Sequence, residues 1–196
     1  ATLQLVQAGK VRLDAPLRTY LTDYPNVDLA SKVTLHHLLT HTGGTGDIFG
    51  PQFSANRLNL RNVDDYLELY GSRGLQFTPG AQWAYSNYGF ILLGAVIERV
   101  SGMSYDDYVA ANILTPAGMT ATDAGPLDSL GPLRAVGYTK QLAPGQLVSN
   151  TSTLPYRGTP AGGGYSTVAD LARFAAALQE NRLLNPALTT QLHAGK

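Results

Sequence analysis

At 196 residues, 44% hydrophobic and 14% charged, the chain has enough apolar side chains for a sizeable core and too little charge for disorder. Its formal net charge is zero and it has no basic stripe, which argues against nucleic acid or an anionic membrane as partner. It has no cysteine, which excludes disulfide frameworks, thiolate metal sites and thiol catalysis, and no run of about 18 apolar residues that could span a bilayer.

Ala1 to Ala8 reads as the inside of a helix with no capping residue before it and no signal-peptide pattern. This carries the expectation that the chain starts within a larger protein. Gly9 ends that helix, and Lys10–Leu13 reads as short and extended. Asp14, with Pro16 in the first turn, predicts a brief helix to about Leu21. Thr34 caps a helix with Leu35, Leu38 and Leu39 on one face, and the glycines at 43, 44 and 46 force a loop after it. Residues 47–60 read as a long polar loop. Asn62 caps the next helix, with Asp64 and Asp65 in its first turn, and Gly71 ends it.

Thr78-Pro79-Gly80 is a turn signal before the stretch Gln82–Phe90, and a long apolar helix follows to Val100, closed by Gly102. In this stretch Tyr85 and Asn87 stand two apart at a strand-to-helix step, where both side chains can enter one cleft. The plainer alternative is a helix capped by Ser86 or Asn87 with Tyr85 as a packed aromatic.

Ser104 to Asp107 opens another helix to about Ile113, and 114–132 reads as loop. Residues 135–149 predict two short strands around Pro144-Gly145, and 159–165 a glycine-rich loop. Thr167 and Asp170 cap a helix over 168–178, with Leu171, Phe174, Ala175 and Leu178 on one face. Asn185-Pro186 begins a last helix, which the end of the chain cuts short. The expected class is mainly α with a few short strands.

Several motifs bear on chemistry. His37 and His41 have metal-ligand spacing on a helix, but no glutamate or third ligand accompanies them, so helix-end histidines bonded to backbone is the favoured reading. Gly162-Gly163-Gly164 precedes a helix whose amides could receive an anion, but no acidic ribose partner or lysine follows, so a tight turn packed under another segment is the favoured reading. The chain contains no G-x-S-x-G elbow and no Ser-x-x-Lys; the nearest miss is Ser54–Arg57, and arginine cannot serve as a neutral base. Tyr85 could relay a proton if a cation lowered its pKa from about 10. Asn87 could hold both a lysine and a substrate carbonyl with its one amide.

Taken in order, these motifs resemble the serine β-lactamase-like family: class C β-lactamases, penicillin-binding D,D-peptidases and related esterases. Residues 3–16 resemble the latter part of the nucleophile-bearing helix and the turn after it. Leu38-Leu39-Thr40-His41-Thr42-Gly43-Gly44 resembles the Leu-Leu-x-His-Thr-Ser-Gly segment, with Gly43 in place of serine. Phe77-x-Pro79-Gly80 and Tyr85-Ser86-Asn87-Tyr88-Gly89 resemble the second catalytic motif and its lead-in. Thr115–Thr122 resembles the Pro-Leu-Gly-Met loop, with Ala117 for leucine, and Ala161–Thr167 with Asp170 resembles the late glycine-rich turn.

The resemblance covers nearly the whole chain. It implies one partial domain over residues 1–196, the helical lobe and middle portion of the α/β serine β-lactamase/D,D-peptidase-like fold. The nucleophile segment is then expected before Ala1 and the C-terminal sheet strands, with a Lys-Thr-Gly or His-x-Gly motif, after Lys196. His41-Thr42-Gly43 and His193-Ala194-Gly195 imitate that third motif out of place.

The implied chemistry is acyl transfer on a β-lactam, D-amino-acid peptide or ester through a serine ester. Tyr85 and Asn87 are the implied catalytic residues; Asn87, Gly163 and Gly164 are the implied substrate-binding ones. The parent is expected to be a serine hydrolase without cofactor or metal, acting on a small molecule or peptide, and the 196 residues alone are expected to be inactive. Periplasmic or secreted location follows only by analogy. A non-catalytic peptidoglycan- or β-lactam-binding sensor on the same scaffold is the rival reading, and a zinc hydrolase using His37 and His41 the weaker third.

Overall fold

A computed structural model of the chain describes residues 1–129 and 134–194. Helix dominates. In order come α1 (Thr2–Gln7), α2 (Val27–Lys32), α3 (Leu35–Leu39), α4 (Pro51–Asn56), α5 (Val63–Tyr70), α6 (Asn87–Ser101), α7 (Tyr105–Val109), α8 (Thr115–Ala117), α9 (Val168–Gln179) and α10 (Pro186–His193). A turn of π type, Ala110–Leu114, joins α7 to α8. Two short strands, β1 (Tyr138–Thr139) and β2 (Val148–Ser149), pair antiparallel with Tyr138 opposite Ser149 and Thr139 opposite Val148.

The helix starts follow local chemistry. Thr34, Asn62, Ser86, Ser104, Thr167 and Asn185 each accept the backbone N–H three residues on, which satisfies a donor that the first turn leaves free. At Asn62 the Asp65 carboxylate reaches back to the cap's own N–H at 3.0 Å. Gly9 and Gly102 close α1 and α6 with positive φ.

Four stretches depart from expectation. The Asp14 carboxylate pairs with Arg12 at 2.7 Å instead of capping, and only a 3₁₀ turn, Leu17–Thr19, follows Pro16. Residues 47–60 are not all loop, because Pro51 sets φ for the first turn of α4 and Phe53 anchors that helix in the core. On α9 the inward residues are Asp170 and Ala177, with Phe174 and Leu178 half-buried, while Leu171 and Ala175 face solvent. The cause is Asp170. Its carboxylate takes the Ala121 N–H at 2.7 Å, the Thr122 hydroxyl at 2.8 Å and Arg173 at 2.6 Å, which turns that side of the helix inward. Burial alone would raise this carboxyl; those three partners hold it below the usual carboxylate range. The expected loop over 114–132 contains α8, and its residues 130–132 lie outside the described ones.

α6 is the axis of the core. Seven successive residues, Ile91 to Ile97, are buried, so this helix is covered on every side. α3, α5 and α7 pack around it, and Leu17, Leu29, Val33, Leu35 and Tyr66 fill the space between. Close approach is built in at Gly94, where a β-carbon would stand 2.2 Å from Cγ of Pro160. A smaller apolar cluster joins Ala117, Met119, Ala177 and Leu183. α1 is tied to the far end of the chain: Gln4 Nε2 donates to the carbonyls of Asn112 (2.8 Å) and Leu183 (3.2 Å), and the Asn185 N–H donates to Gln7 Oε1 (2.7 Å). No helix among the described residues is long and apolar enough to cross a membrane.

Candidate active site

The N-terminus of α6 meets the loop that leaves α3. Ser86 is the cap, and its hydroxyl is fully engaged. Oγ accepts from the Gly89 N–H at 2.9 Å, donates its one hydrogen to the Gly46 carbonyl at 2.5 Å, and therefore accepts from the Thr45 hydroxyl at 2.9 Å. A buried serine with its lone pairs and proton committed in this way fastens two segments together and is not poised as a nucleophile.

Tyr85 and Asn87, on either side of that cap, converge. The Tyr85 hydroxyl donates to Asn87 Oδ1 at 3.2 Å. Tyr85 is 55% exposed and Asn87 only 9%, so the phenol stands at the surface on an amide rooted below it. Asp47, which sequence reasoning missed, supplies the root. Its carboxylate accepts the Asn87 backbone N–H at 3.0 Å and the Asn87 side-chain amide at 2.9 and 3.2 Å. One N–H of the amide is thereby held by Asp47, which sets the amide's orientation and turns its oxygen toward Tyr85.

A further layer holds Asp47. Arg73, just past α5, donates to the Asp47 carbonyl at 2.7 Å, and the Tyr70 hydroxyl donates to the carbonyl of Ile48 at 3.0 Å. The Arg73 guanidinium lies over the rings of Tyr70 and Tyr88, 4.4 and 4.9 Å from their centres. Its Nε and Nη2 are buried without hydrogen-bond partners, so the ring faces take that role. Tyr88 shares a 2.9 Å hydroxyl contact with Tyr24, and burial pushes both phenols up. Nothing local marks Asp47 or Arg73 in the sequence, because their partners lie 40 and 26 residues away.

The loop itself depends on close approach. Gly44, at φ +67°, passes so near Phe77 that a β-carbon would sit 2.6 Å from the Phe77 carbonyl oxygen. The Gln76 N–H donates to the Gly44 carbonyl at 2.8 Å and the Gly80 N–H to that of Thr42 at 2.8 Å, which binds residues 76–80 to the loop.

The histidines serve backbone. His37 Nδ1 accepts the Thr34 N–H at 3.2 Å, completing the capping box of α3, and His41 Nδ1 accepts the Ser86 N–H at 3.2 Å. The 159–165 loop forms a tight turn, with Thr159 and Gly162 exchanging hydrogen bonds of 2.7 and 2.9 Å. Beyond it Tyr165 pairs with Asp123, and Gly164 lies against Asp123 and Ala124. Among the described residues no hydrogen bond joins Gly163 or Gly164 to Tyr85 or Asn87, and no group of three or more His, Asp or Glu residues is placed to hold a metal ion.

A family model described as Beta-lactamase matches residues 1–196. The chain is 32% identical over 188 residues to PbpX of Bacillus subtilis, covering 93% of this chain and 44% of that protein. It is 36% identical over 132 residues to the esterase EstB of Burkholderia gladioli, covering 61% and 33%. Among solved structures, a penicillin binding protein from Bacillus halodurans superposes with a TM-score of 0.85 at 37% identity, covering 100% of this chain and 62% of the other. A D-stereospecific amidohydrolase from Streptomyces sp. does so with 0.81 at 27%, covering 99% and 61%. The chain spans less than two thirds of each of these proteins.

Proposed function

The chain belongs to the β-lactamase family, and from that premise we propose that it forms one wall of the active site of a serine hydrolase working by acyl transfer on a β-lactam, a D-amino-acid peptide or amide, or an ester. In this reading residues 1–196 are part of one β-lactamase-like domain, its helical lobe and middle portion. The observation that carries it is the Tyr85–Asn87–Asp47 chain, in which a surface phenol donates to an amide oxygen whose orientation a carboxylate enforces. The named relatives, an esterase and a D-stereospecific amidohydrolase among them, support the substrate range.

Tyr85 moves the proton between the serine and the leaving group. Its side chain stands at the surface, and Asn87 Oδ1 fixes the direction of its hydroxyl. The same Oδ1 keeps lone-pair capacity for a lysine ammonium. One hydrogen of the Asn87 amide nitrogen is held by the Asp47 carboxylate, which leaves its second N–H for a substrate carbonyl. Gly163 and Gly164 belong, in this reading, to the rim that receives the rest of the substrate. The nucleophile is a Ser-x-x-Lys serine, which residues 1–196 do not contain, so the 196-residue chain by itself does not turn over substrate.

The test is covalent labelling by a fluorophosphonate of the protein that carries the Ser-x-x-Lys segment, with and without Tyr85→Phe. A positioned acid–base group contributes roughly 10²–10⁴-fold, so the labelling rate falls by about that factor while the melting temperature holds. A Tyr85→Phe protein that labels within about tenfold of the parent removes the role.

A further inference from the structure

His41 is one of only two described non-glycine residues with positive φ, at +57°. Side chains with a β-carbon rarely enter that region, and histidine is among the few that do. Two hydrogen bonds hold it there. Its carbonyl accepts the Ala84 N–H at 2.9 Å, and its Nδ1 accepts the Ser86 N–H at 3.2 Å. These grip the chain immediately before and immediately after Tyr85. The imidazole then lies against the Tyr85 ring, with centres 4.6 Å apart and planes 35° apart, and Phe90 backs it at 5.2 Å. Trp83 meets its edge at 6.0 Å.

A nitrogen that accepts an N–H carries a lone pair, so neutral His41 bears its hydrogen on Nε2. A proton taken from solvent onto Nδ1 would set two N–H groups face to face and end the Ser86 contact. We propose that neutral His41 is a positioning residue for Tyr85, holding the chain on both sides of it and seating its ring, and that protonation of Nδ1 releases that ring. This rests on the reading of Tyr85 as the proton relay.

The groups facing the imidazole are few. The 82–86 segment presents Tyr85, the loop after Gly46 presents the Asp47 carboxylate, and α6 presents the uncharged Phe90. On α3, His37 is occupied by the Thr34 N–H, and His36 is its ring neighbour. Burial holds the His41 imidazole below its ordinary value, with Asp47 opposing. The seat is therefore intact at neutral pH and lost as the pH falls through that lowered value.

The test follows two signals by NMR from about pH 8 to about pH 4, across the imidazole range: contacts between the Tyr85 and His41 rings, and protection of the Ser86 amide from exchange. Tyr85→Phe assigns the tyrosine. On protonation of His41 the ring contacts are expected to vanish and the amide protection to fall at least about tenfold, the size of a lost local hydrogen bond. His41→Asn keeps an acceptor and tolerates the left-handed backbone, so its Ser86 amide is expected to stay protected throughout. Ring contacts and protection that persist in the unaltered protein while His41 titrates overturn the proposal, and so does a loss of equal size in His41→Asn. The first of these outcomes needs no variant to fold. Neither needs turnover, so failure here is separate from failure of the catalytic reading, which the labelling of Tyr85→Phe decides.

Discussion

Asp47 holds Asn87 by three contacts, one to its backbone N–H and two to its side-chain amide, across 40 residues of chain. The carboxylate thus does two things at once: it satisfies a first-turn donor of α6 and decides which end of the amide faces Tyr85. Asp47→Ala would strand these donors in a nearly buried place, and each stranded donor costs about 1–3 kcal/mol. At about 2–4 °C per kcal/mol for a chain of this size, the melting temperature is expected to drop by several degrees, and by less in Asp47→Asn, which keeps one acceptor oxygen. An unchanged melting temperature in Asp47→Ala would show that the amide is held by something else.

Ser86→Ala removes the cap of α6 and the hydroxyl that joins Gly46 to Gly89. Cap removal costs about 0.5–2 kcal/mol. The upper half of that range is expected in urea denaturation, because the Thr45 hydroxyl also loses its partner. Covalent labelling of the Ser-x-x-Lys protein should survive the change; a labelled Ser86 would contradict the assignment of its hydroxyl to structure.

Gly94→Ala sets two effects against each other. Helix propensity favours alanine by about 1 kcal/mol, while a β-carbon 2.2 Å from the rigid ring of Pro160 forces repacking worth about 1–3 kcal/mol. The clash is expected to win, lowering stability with an unchanged urea dependence. Adding Pro160→Ala should recover part of the loss, and a simple sum of the two single effects would mean the residues do not touch.

Glu98 gives stability a pH dependence of unusual sign for a carboxylate. Burial raises its folded pKa, although the Tyr105 N–H, donating at 2.8 Å, opposes this. The folded state then binds the proton more tightly than the unfolded chain, so stability is lost as pH rises from the unfolded value through the raised one. Glu98→Gln keeps an acceptor for Tyr105 without the charge. It is expected to melt higher at neutral pH and to lose that slope. Asp170, held low by its partners, works the other way and loses its contribution only as pH falls below the ordinary aspartate range.

What could be read from the sequence was what the chain settles within three or four residues. The caps at Thr34, Asn62, Ser104, Thr167 and Asn185 are all of this kind, since side chain and backbone partner are near neighbours. The pairing of Tyr85 with Asn87 was open to the same reasoning, being two residues apart. α4 was hidden because its one strong anchor, Phe53, sits in a run that is otherwise polar. The face of α9 is not legible locally, because a buried carboxylate outweighs two apolar residues and its partners at 121 and 122 lie 49 and 48 residues away. Asp47 and Arg73 escaped for the same reason of distance. The site therefore divides into a local part, visible as a motif, and a supporting part that only the folded chain brings together.

The bonds from Gln4 and Gln7 to Leu183 and Asn185 join positions 178 and 179 residues apart. During synthesis α1 leaves the ribosome long before its partners exist. At ~5–20 residues per second the wait is roughly 10–35 s, orders of magnitude longer than helix formation needs. Until α6 (Asn87–Ser101) follows, the apolar side of α1, with Leu5 at its centre, has no core to pack on, and after that it has only α6 and its neighbours. The nascent chain thus carries the apolar segment Thr2–Gln7 for seconds before all its partners exist, an interval in which exposed apolar surface favours misassembly.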